Sequence, residues 1–273
     1  MGLGGIYSVV GRRVCYVGAW LLTQDLQRPI RQLYRAMNEI KEGRLIQTSN
    51  LYSDEFSTLI AGFNMMVREL QGREDRNRKL LDSYFAALAA ALDARDPYTA
   101  GHSLRVAEYS VVIGHLAGLR QEDIDLLYKT ALLHDIGKIG VRDNVLLKEG
   151  KLTAEEFDQV KAHPAQGENI LLQIEPPDAM APYLEGVRSH HERYDGAGYP
   201  DGLKGQEIPL FGRIIAVADA YDAMTSDRPY RSGMKSVDAL NILEAGRGTQ
   251  WDPDFAGMFV KYMRKEKKMI AIR

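Results

Sequence analysis

Six histidines occur in this chain of 273 residues, at positions 102, 115, 134, 163, 190 and 191. His134-Asp135 closes an apolar stretch, residues 126–133, and leads into Ile136-Gly137-Lys138. His190-His191-Glu192 precedes a turn-forming run, Asp195-Gly196-Ala197-Gly198-Tyr199-Pro200; His163-Pro164 closes another helical stretch; His102 follows Tyr98-Thr99-Ala100-Gly101. Asp219 directly follows the apolar residues 214–218, where a lone carboxylate is costly to bury unless paired or metal-bound. Imidazole nitrogens and carboxylate oxygens are the usual ligands of iron, manganese or zinc, and no thiolate accompanies them, so a nitrogen-and-oxygen site is expected. An Asp beside a His at a helix end is suited to bridging, since its two oxygens can touch two ions while the His binds one. Two ions about 3.5–4 Å apart can acidify a shared water and clamp both oxygens of a phosphate ester undergoing displacement. His115, in Ile113-Gly114-His115-Leu116, lacks such neighbours and is expected to be an ordinary core histidine. Adjacent His190 and His191 point about 100° apart on a helix, which permits a shared site without requiring one.

The elements that must position these residues are partly readable. Residues 126–133 predict a helix. Residues 213–220 are ambiguous, because Ile214, Ile215 and Val217 favour a strand on propensity. Upstream, Ile30, Leu33, Met37 and Ile40 recur at three and four residues after Pro29, as one helix face requires, with Gly43 as a stop. A second stripe, Phe56, Leu59, Phe63, Met66 and Leu70, comes after Ser53-Asp54-Glu55, a suitable helix start. Both stripes are narrow, as helix pairing between chains requires, although a plain helical hairpin would show them too. The charged stretch 71–79 merges into Leu80, Leu81, Tyr84, Leu88 and Leu92, which predicts a linker helix.

Residues 3–10 and 14–22 are apolar but separated by Gly11-Arg12-Arg13, and a spanning helix needs about 20 apolar residues, so neither spans alone. Their position just ahead of the two striped helices favours the remnant of a membrane anchor over a docked helix or a targeting segment. The chain is 45% hydrophobic and 26% charged, which excludes a disordered tail and a polytopic membrane protein. Residues 1–83 hold 12 Lys and Arg against 9 Asp and Glu, and residues 84–273 hold 23 against 28. An acidic second part is a poor candidate for binding a nucleic acid polymer. The sole cysteine, Cys15, excludes an internal disulfide.

The order of apolar stub, Arg28-Pro29-Ile30 entry, first helix, connector, Asp54-Glu55 and second helix resembles a HAMP module over roughly residues 24–74. That resemblance implies a membrane-proximal relay that dimerises as a parallel four-helix bundle. The rest resembles the HD-GYP family over about residues 85–265. The matching elements are Gly101-His102-Ser103-Leu104-Arg105-Val106, His134-Asp135-Ile136-Gly137-Lys138-Ile139-Gly140, His163-Pro164, and His190-His191-Glu192 with the Asp195 to Pro200 run. Val217-Ala218-Asp219-Ala220-Tyr221-Asp222-Ala223-Met224 and Arg228-Pro229-Tyr230-Arg231 complete the set.

The resemblance implies an all-α fold, an HD-domain helical bundle preceded by HAMP-like coiled-coil helices, and turns residues 213–220 into helix. It divides the chain into an anchor remnant (1–23), the relay (24–74), a linker helix (75–84) and the catalytic domain (85–273). It implies a cyclic di-GMP phosphodiesterase that opens the ring to pGpG or continues to GMP, by attack of a metal-bridging hydroxide. His102, His134, Asp135 and Asp219 would hold one divalent ion, His163, His190 and His191 the second, with Asp135 bridging; iron or manganese is expected. Lys138, one turn beyond Asp135, would stabilise phosphate charge and assist the leaving oxygen. Arg228 and Arg231 would hold the second phosphate or guanine by bidentate bonds or stacking. The Gly196 to Pro200 loop would shape the pocket rim and could contact a GGDEF-type or other signalling protein, with Tyr199 equally explained by packing. Some family members carry a Glu four residues before the first metal-binding His that supports a third metal; here that position is Tyr98, so two metals are expected. The implied location is the cytoplasmic membrane, with the catalytic domain in the cytoplasm. Two alternatives stay open: an HD phosphohydrolase acting on another nucleotide such as 3′,3′-cGAMP, and a non-catalytic dinucleotide-binding adaptor.

Overall fold

A computed structural model describes residues 16, 20, 23, 26–53, 55–95, 101–176, 178–227 and 232–270. The anchor remnant expected at 1–23 therefore lies almost wholly outside the described residues. No helix among the described residues is long and apolar enough to cross a membrane. The described elements are helices, with one isolated bridge between Arg247 and Trp251. The chain divides into two compact units, Met1–Leu81 and Asp82–Arg273.

In the first unit α1 (residues 26–41) ends before Gly43, whose φ of 82° is a backbone conformation that glycine adopts at little cost. A non-helical connector comes next, and α2 (Glu55–Arg95) begins beyond it. Leu33 and Ala36 of α1 bury themselves against Ile60, Phe63 and Val67 of α2, with Ile40, Leu45 and Tyr52 at the margin. Asn64 fastens the connector through both ends of its amide, accepting from Thr48 N at 2.9 Å and donating to Thr48 O at 2.7 Å. The buried seam differs in part from the stripes expected from sequence. Ile30, Met37, Leu59 and Met66 stay exposed, while Ala36, Ile60 and Val67 take the buried positions.

The second unit is built around α3 (His102–Leu116), α4 (Gln121–Leu133), α8 (Ala181–Ser189) and α9 (Leu210–Thr225). They meet around Val106, Ile113, Leu127, Leu133, Val187, Ile214 and Val217. Helix α4 starts with Glu122 and Asp123, acidic groups that suit a helix N-terminus, and buries Ile124, Leu127 and Ala131 at helical spacing. Helix α9 buries Ile214, Ile215, Val217, Ala218 and Tyr221, positions that recur at three and four residues on one wide face, and packing of that face overrides the strand preference of its β-branched residues. Phe85 and Ala89 of α2 join this core and Leu92 is buried as well, while Tyr84 and Leu88 stay exposed.

A 3-10 turn (Ile136–Gly140) succeeds α4 and packs on α7 (His163–Leu171). Between them, α5 (Asp143–Leu146) and α6 (Ala154–Lys161) form a short arm, with Thr153 and Glu156 making a reciprocal cap at the start of α6. Helices α10 (Ser236–Ala245) and α11 (Pro253–Ile270) close the core with Leu240, Leu243, Phe259 and Val260.

Candidate metal centre

Three of the histidines occupy the same local situation. His134 and His190 stand at the C-terminal caps of α4 and α8, and His163 stands just beyond α6, where a helix leaves carbonyls without an intrahelical donor. Each ring turns its Nδ1 back to the carbonyl three residues earlier: His134 to Ala131 at 2.6 Å, His163 to Val160 at 2.7 Å, His190 to Val187 at 2.7 Å. A carbonyl only accepts, so Nδ1 carries the hydrogen and Nε2 holds its lone pair free for the interior. His102 opens α3 and is fixed in the same sense by a carboxylate, with Nδ1 2.7 Å from Asp222 Oδ2. Arg105 grips that carboxylate from the other side, Nε to Oδ1 at 2.6 Å and Nη2 to Oδ2 at 3.0 Å.

The inward atoms converge on Asp135. Its Oδ2 lies 3.4 Å from His134 Nε2 and 3.8 Å from His102 Nε2; its Oδ1 lies 3.2 Å from His163 Nε2 and 3.9 Å from His190 Nε2. Asp219, from α9, reaches His102 Nε2 at 3.3 Å. Two ligand groups result, each with its donor atoms within 4.8 Å of one another: His102, His134 and Asp219, and Asp135, His163, His190 and His191. All seven residues expected from sequence are thus brought together.

This donor set fits divalent cations. His134 Nε2 and Asp135 Oδ1 are fully buried without a hydrogen-bond partner, a state native proteins rarely leave unexplained. His163 Nε2 and His190 Nε2 face each other at 3.2 Å with both Nδ1 atoms already committed, so two lone pairs oppose each other unless a cation or a proton lies between. Burial drives the His191 imidazole down to about 3 and pulls His190 well below its ordinary value, which keeps both rings neutral and able to coordinate. Burial also disfavours charge on His102, but Asp219 and Asp222 outweigh it and push that group up to about 10, so a cation entering there would displace a proton. Burial opposes ionisation of Asp135, and the Lys138 ammonium, with the imidazoles around the carboxyl, overcomes it and holds the group well below the usual carboxylate range.

Lys138 sits on the 3-10 turn three residues after Asp135, where that geometry stacks i on i+3, and its Nζ meets Asp135 Oδ2 at 2.5 Å. The Tyr199 ring lies against His191, centroids 4.9 Å apart, and burial raises its phenol above the ordinary value so that it stays protonated. The loop bearing Tyr199 is drawn in by Glu192, which accepts from the backbone N–H of Asp201 at 2.7 Å and of Gly202 and Leu203 at 3.1 Å. His115 is a correction: it is exposed on the last turn of α3 rather than buried in the core. Arg228, Arg231 and Tyr98 lie outside the described residues. Asp222 and Arg105 are the functional residues that reading the sequence for ligands missed; the usable signal was the i, i+3 spacing of Asp219 and Asp222 on an otherwise apolar helix.

An HD domain family model matches residues 86–255, and a HAMP domain model matches residues 21–72. The chain is 36% identical over 251 residues to a cyclic di-GMP phosphodiesterase of Vibrio cholerae, covering 87% of this chain and 50% of that protein. It is 43% identical over 211 residues to 3′3′-cGAMP-specific phosphodiesterase 3 of the same organism, covering 77% and 45%. It is 42% identical over 180 residues to a cyclic di-GMP phosphodiesterase response regulator of Xanthomonas campestris, covering 66% and 46%. The chain spans about half the length of these curated relatives.

Proposed function

The chain belongs to the HD domain family, and on that premise we propose that it hydrolyses a phosphodiester bond of a cyclic dinucleotide, cyclic di-GMP in the first place. The observation that carries this reading is the placement of Asp135, one oxygen toward His102 and His134 and the other toward His163 and His190, which suits a carboxylate shared by two cations. His102, His134, Asp135 and Asp219 would hold one cation and Asp135, His163, His190 and His191 the other, with iron or manganese assigned from the family resemblance among the ions such donors suit. Bound there, such ions supply Lewis acidity toward phosphoryl oxygens and acidify water at neutral pH.

The chain's own groups do the rest. Asp222, Ala131, Val160 and Val187 fix ring orientation through Nδ1, so the ligand atoms are in place before substrate arrives. The Lys138 ammonium lies beside Asp135 at the same centre, positioned to neutralise charge on a phosphoryl oxygen and to give a proton to the leaving oxygen. Tyr199 packs its ring on His191 and so shields that side of the centre. Arg228 and Arg231 are assigned to the second phosphate or a guanine by the sequence resemblance alone.

A second substrate, 3′,3′-cGAMP, is favoured by one observation, the relative of that specificity at 43% identity. For the remainder of the chain we assign an anchor remnant to 1–23, the HAMP relay to 24–74, a linker helix to 75–84 and the catalytic domain to 85–273, at the cytoplasmic membrane with the catalytic domain in the cytoplasm. Exposed Ile30, Met37, Leu59 and Met66 support a homodimer formed through the relay helices, since a second copy would cover them. The Gly196 to Pro200 loop is the surface assigned to a GGDEF-type or other signalling partner.

The deciding experiment is product analysis. Chain reconstituted with manganese or ferrous iron is incubated with cyclic di-GMP and, separately, 3′,3′-cGAMP, and products are resolved by chromatography. Release of pGpG or GMP from cyclic di-GMP is expected. Consumption of 3′,3′-cGAMP alone moves the specificity to the second reading, and binding without product makes the chain an adaptor.

A further inference from the structure

The last turn of α2 touches the start of α3, which carries His102, and the 3-10 turn that carries Lys138. Asp93 is buried and accepts from Ser103 Oγ at 2.7 Å and Ser103 N at 3.3 Å. Ser103 directly succeeds His102, and α3 has no side-chain cap of its own at Gly101, so Asp93 supplies from a neighbouring helix the negative acceptor that an N-cap residue would provide. Two residues later Arg95 reaches the turn that carries Lys138. Its Nη1 donates to Lys138 O at 2.9 Å and Ile139 O at 2.8 Å; its Nη2 donates to Val141 O and to Asp143 Oδ1, both at 2.7 Å.

The chemistry of these contacts is specific. A planar guanidinium can meet several diverging acceptors at once, whereas an ammonium on a flexible stem cannot hold the same set in one geometry. Three of the four acceptors are consecutive or near-consecutive backbone carbonyls closing the 3-10 turn, so Arg95 fixes the backbone from which the Lys138 side chain departs. Arg95 keeps 30% of its side-chain surface exposed and Asp143 keeps 69%. The contact can therefore loosen without unpacking the core, unlike the fully buried contacts of Val106 or Ile214.

We propose that the C-terminal turn of α2 is a two-point clamp on the metal centre, in which Asp93 sets the start of α3 beside His102 and Arg95 is the positioning residue for Lys138. A shift of this turn of α2 then changes the reach of Lys138 toward Asp135 without removing a ligand, which makes α2 a lever on turnover. The kinetic half of this inference rests on the phosphodiesterase reading; the structural half does not.

The test uses the full chain and three variants, Arg95→Ala, Arg95→Lys and Asp93→Asn, each loaded with manganese. Three measurements are made: metal content, hydrogen exchange by mass spectrometry, and steady-state kinetics giving kcat and KM for cyclic di-GMP. Arg95→Ala is expected to raise exchange in residues 136–143 but not in 236–245, to keep its metal, and to lower kcat at least tenfold with KM within about twofold. Arg95→Lys should recover kcat only in part, and it carries the same measurements should Arg95→Ala not fold. Asp93→Asn should raise exchange at 102–106. Unchanged exchange in 136–143 overturns the clamp; raised exchange with unchanged kcat overturns the positioning role; loss of metal together with rate overturns the assignment to Lys138. If the unaltered chain releases no product from a cyclic dinucleotide, the phosphodiesterase reading fails, and the exchange measurement still decides the clamp.

Discussion

Asp222 Oδ2 accepts the Nδ1–H of His102 at 2.7 Å while Arg105 grips the same carboxylate at 2.6 and 3.0 Å. The pairing leaves Nε2 as the coordinating atom of His102 and makes its imidazole a stronger donor. Asp222→Ala is therefore expected to weaken cation binding by about 10–100-fold, the usual cost of removing such a partner. Competition against a fluorescent chelator measures this directly. An affinity equal to that of the unaltered chain would mean that Asp222 only braces α9.

The ligands were legible in the sequence because histidines are few and four of their surroundings carry a second informative residue, whereas Asp222 looked like one more acidic residue in a stretch that already held Asp219. Its role depends on the 120-residue separation from His102 being closed by the packing of α3 on α9, which no local pattern reveals. Helix seams failed differently. Ile30, Met37, Leu59 and Met66 make one apolar stripe, but the chain buries Ala36, Ile60 and Val67; both helices carry apolar residues on more than one face, and spacing alone does not say which face meets the neighbouring helix. In α9 the β-branched run left strand and helix open on propensity, and the resemblance decided for helix; the structure buries residues 214, 217, 218 and 221 at helical spacing.

Asp135 is the carboxylate that faces both ligand groups. Asp135→Ala is expected to empty the centre and abolish turnover together, because each cation loses a shared ligand and four histidine Nε2 atoms lose the charge they face. Metal content by elemental analysis and product release are read on the same sample. Retained activity in this variant contradicts the bridging role.

Lys138 should separate from the ligands in the same pair of measurements. Its ammonium is held beside Asp135 but adds nothing to a cation's coordination, since a protonated lysine has no lone pair to give. Lys138→Ala is expected to keep its metal and lose about 10²–10³ in kcat, the size of effect seen when one charge-stabilising donor is removed from an active site. A metal-depleted Lys138→Ala would place this residue in the structure of the centre instead.

Gly137 lets the 3-10 turn lie against the start of α7. A Cβ there would stand 1.9 Å from His163 O and 2.5 Å from Gly167 N, and backbone atoms cannot swing aside as a side chain can. Gly137→Ala is expected to destabilise the chain by about 1–3 kcal/mol and to displace His163 from Asp135. Thermal melting together with metal content checks both. A variant with unchanged melting and full metal shows that the turn can retreat.

Removing the metal should cost stability, because the centre is built against itself. With Nδ1 of His163 and His190 committed to carbonyls, their Nε2 atoms oppose each other at 3.2 Å, and His134 Nε2 and Asp135 Oδ1 are buried without partners. A cation present at about 100 times its dissociation constant contributes about 2.7 kcal/mol to the folded state. In a unit of this size each kcal/mol moves the melting temperature by about 2–4 °C, so chelation is expected to lower it by about 5–11 °C and manganese to restore it. His115→Ala, at an exposed histidine remote from these contacts, should leave that difference intact. A melting temperature indifferent to chelator and manganese would mean that seven converging side chains hold no cation, and the proposed chemistry would fall with them.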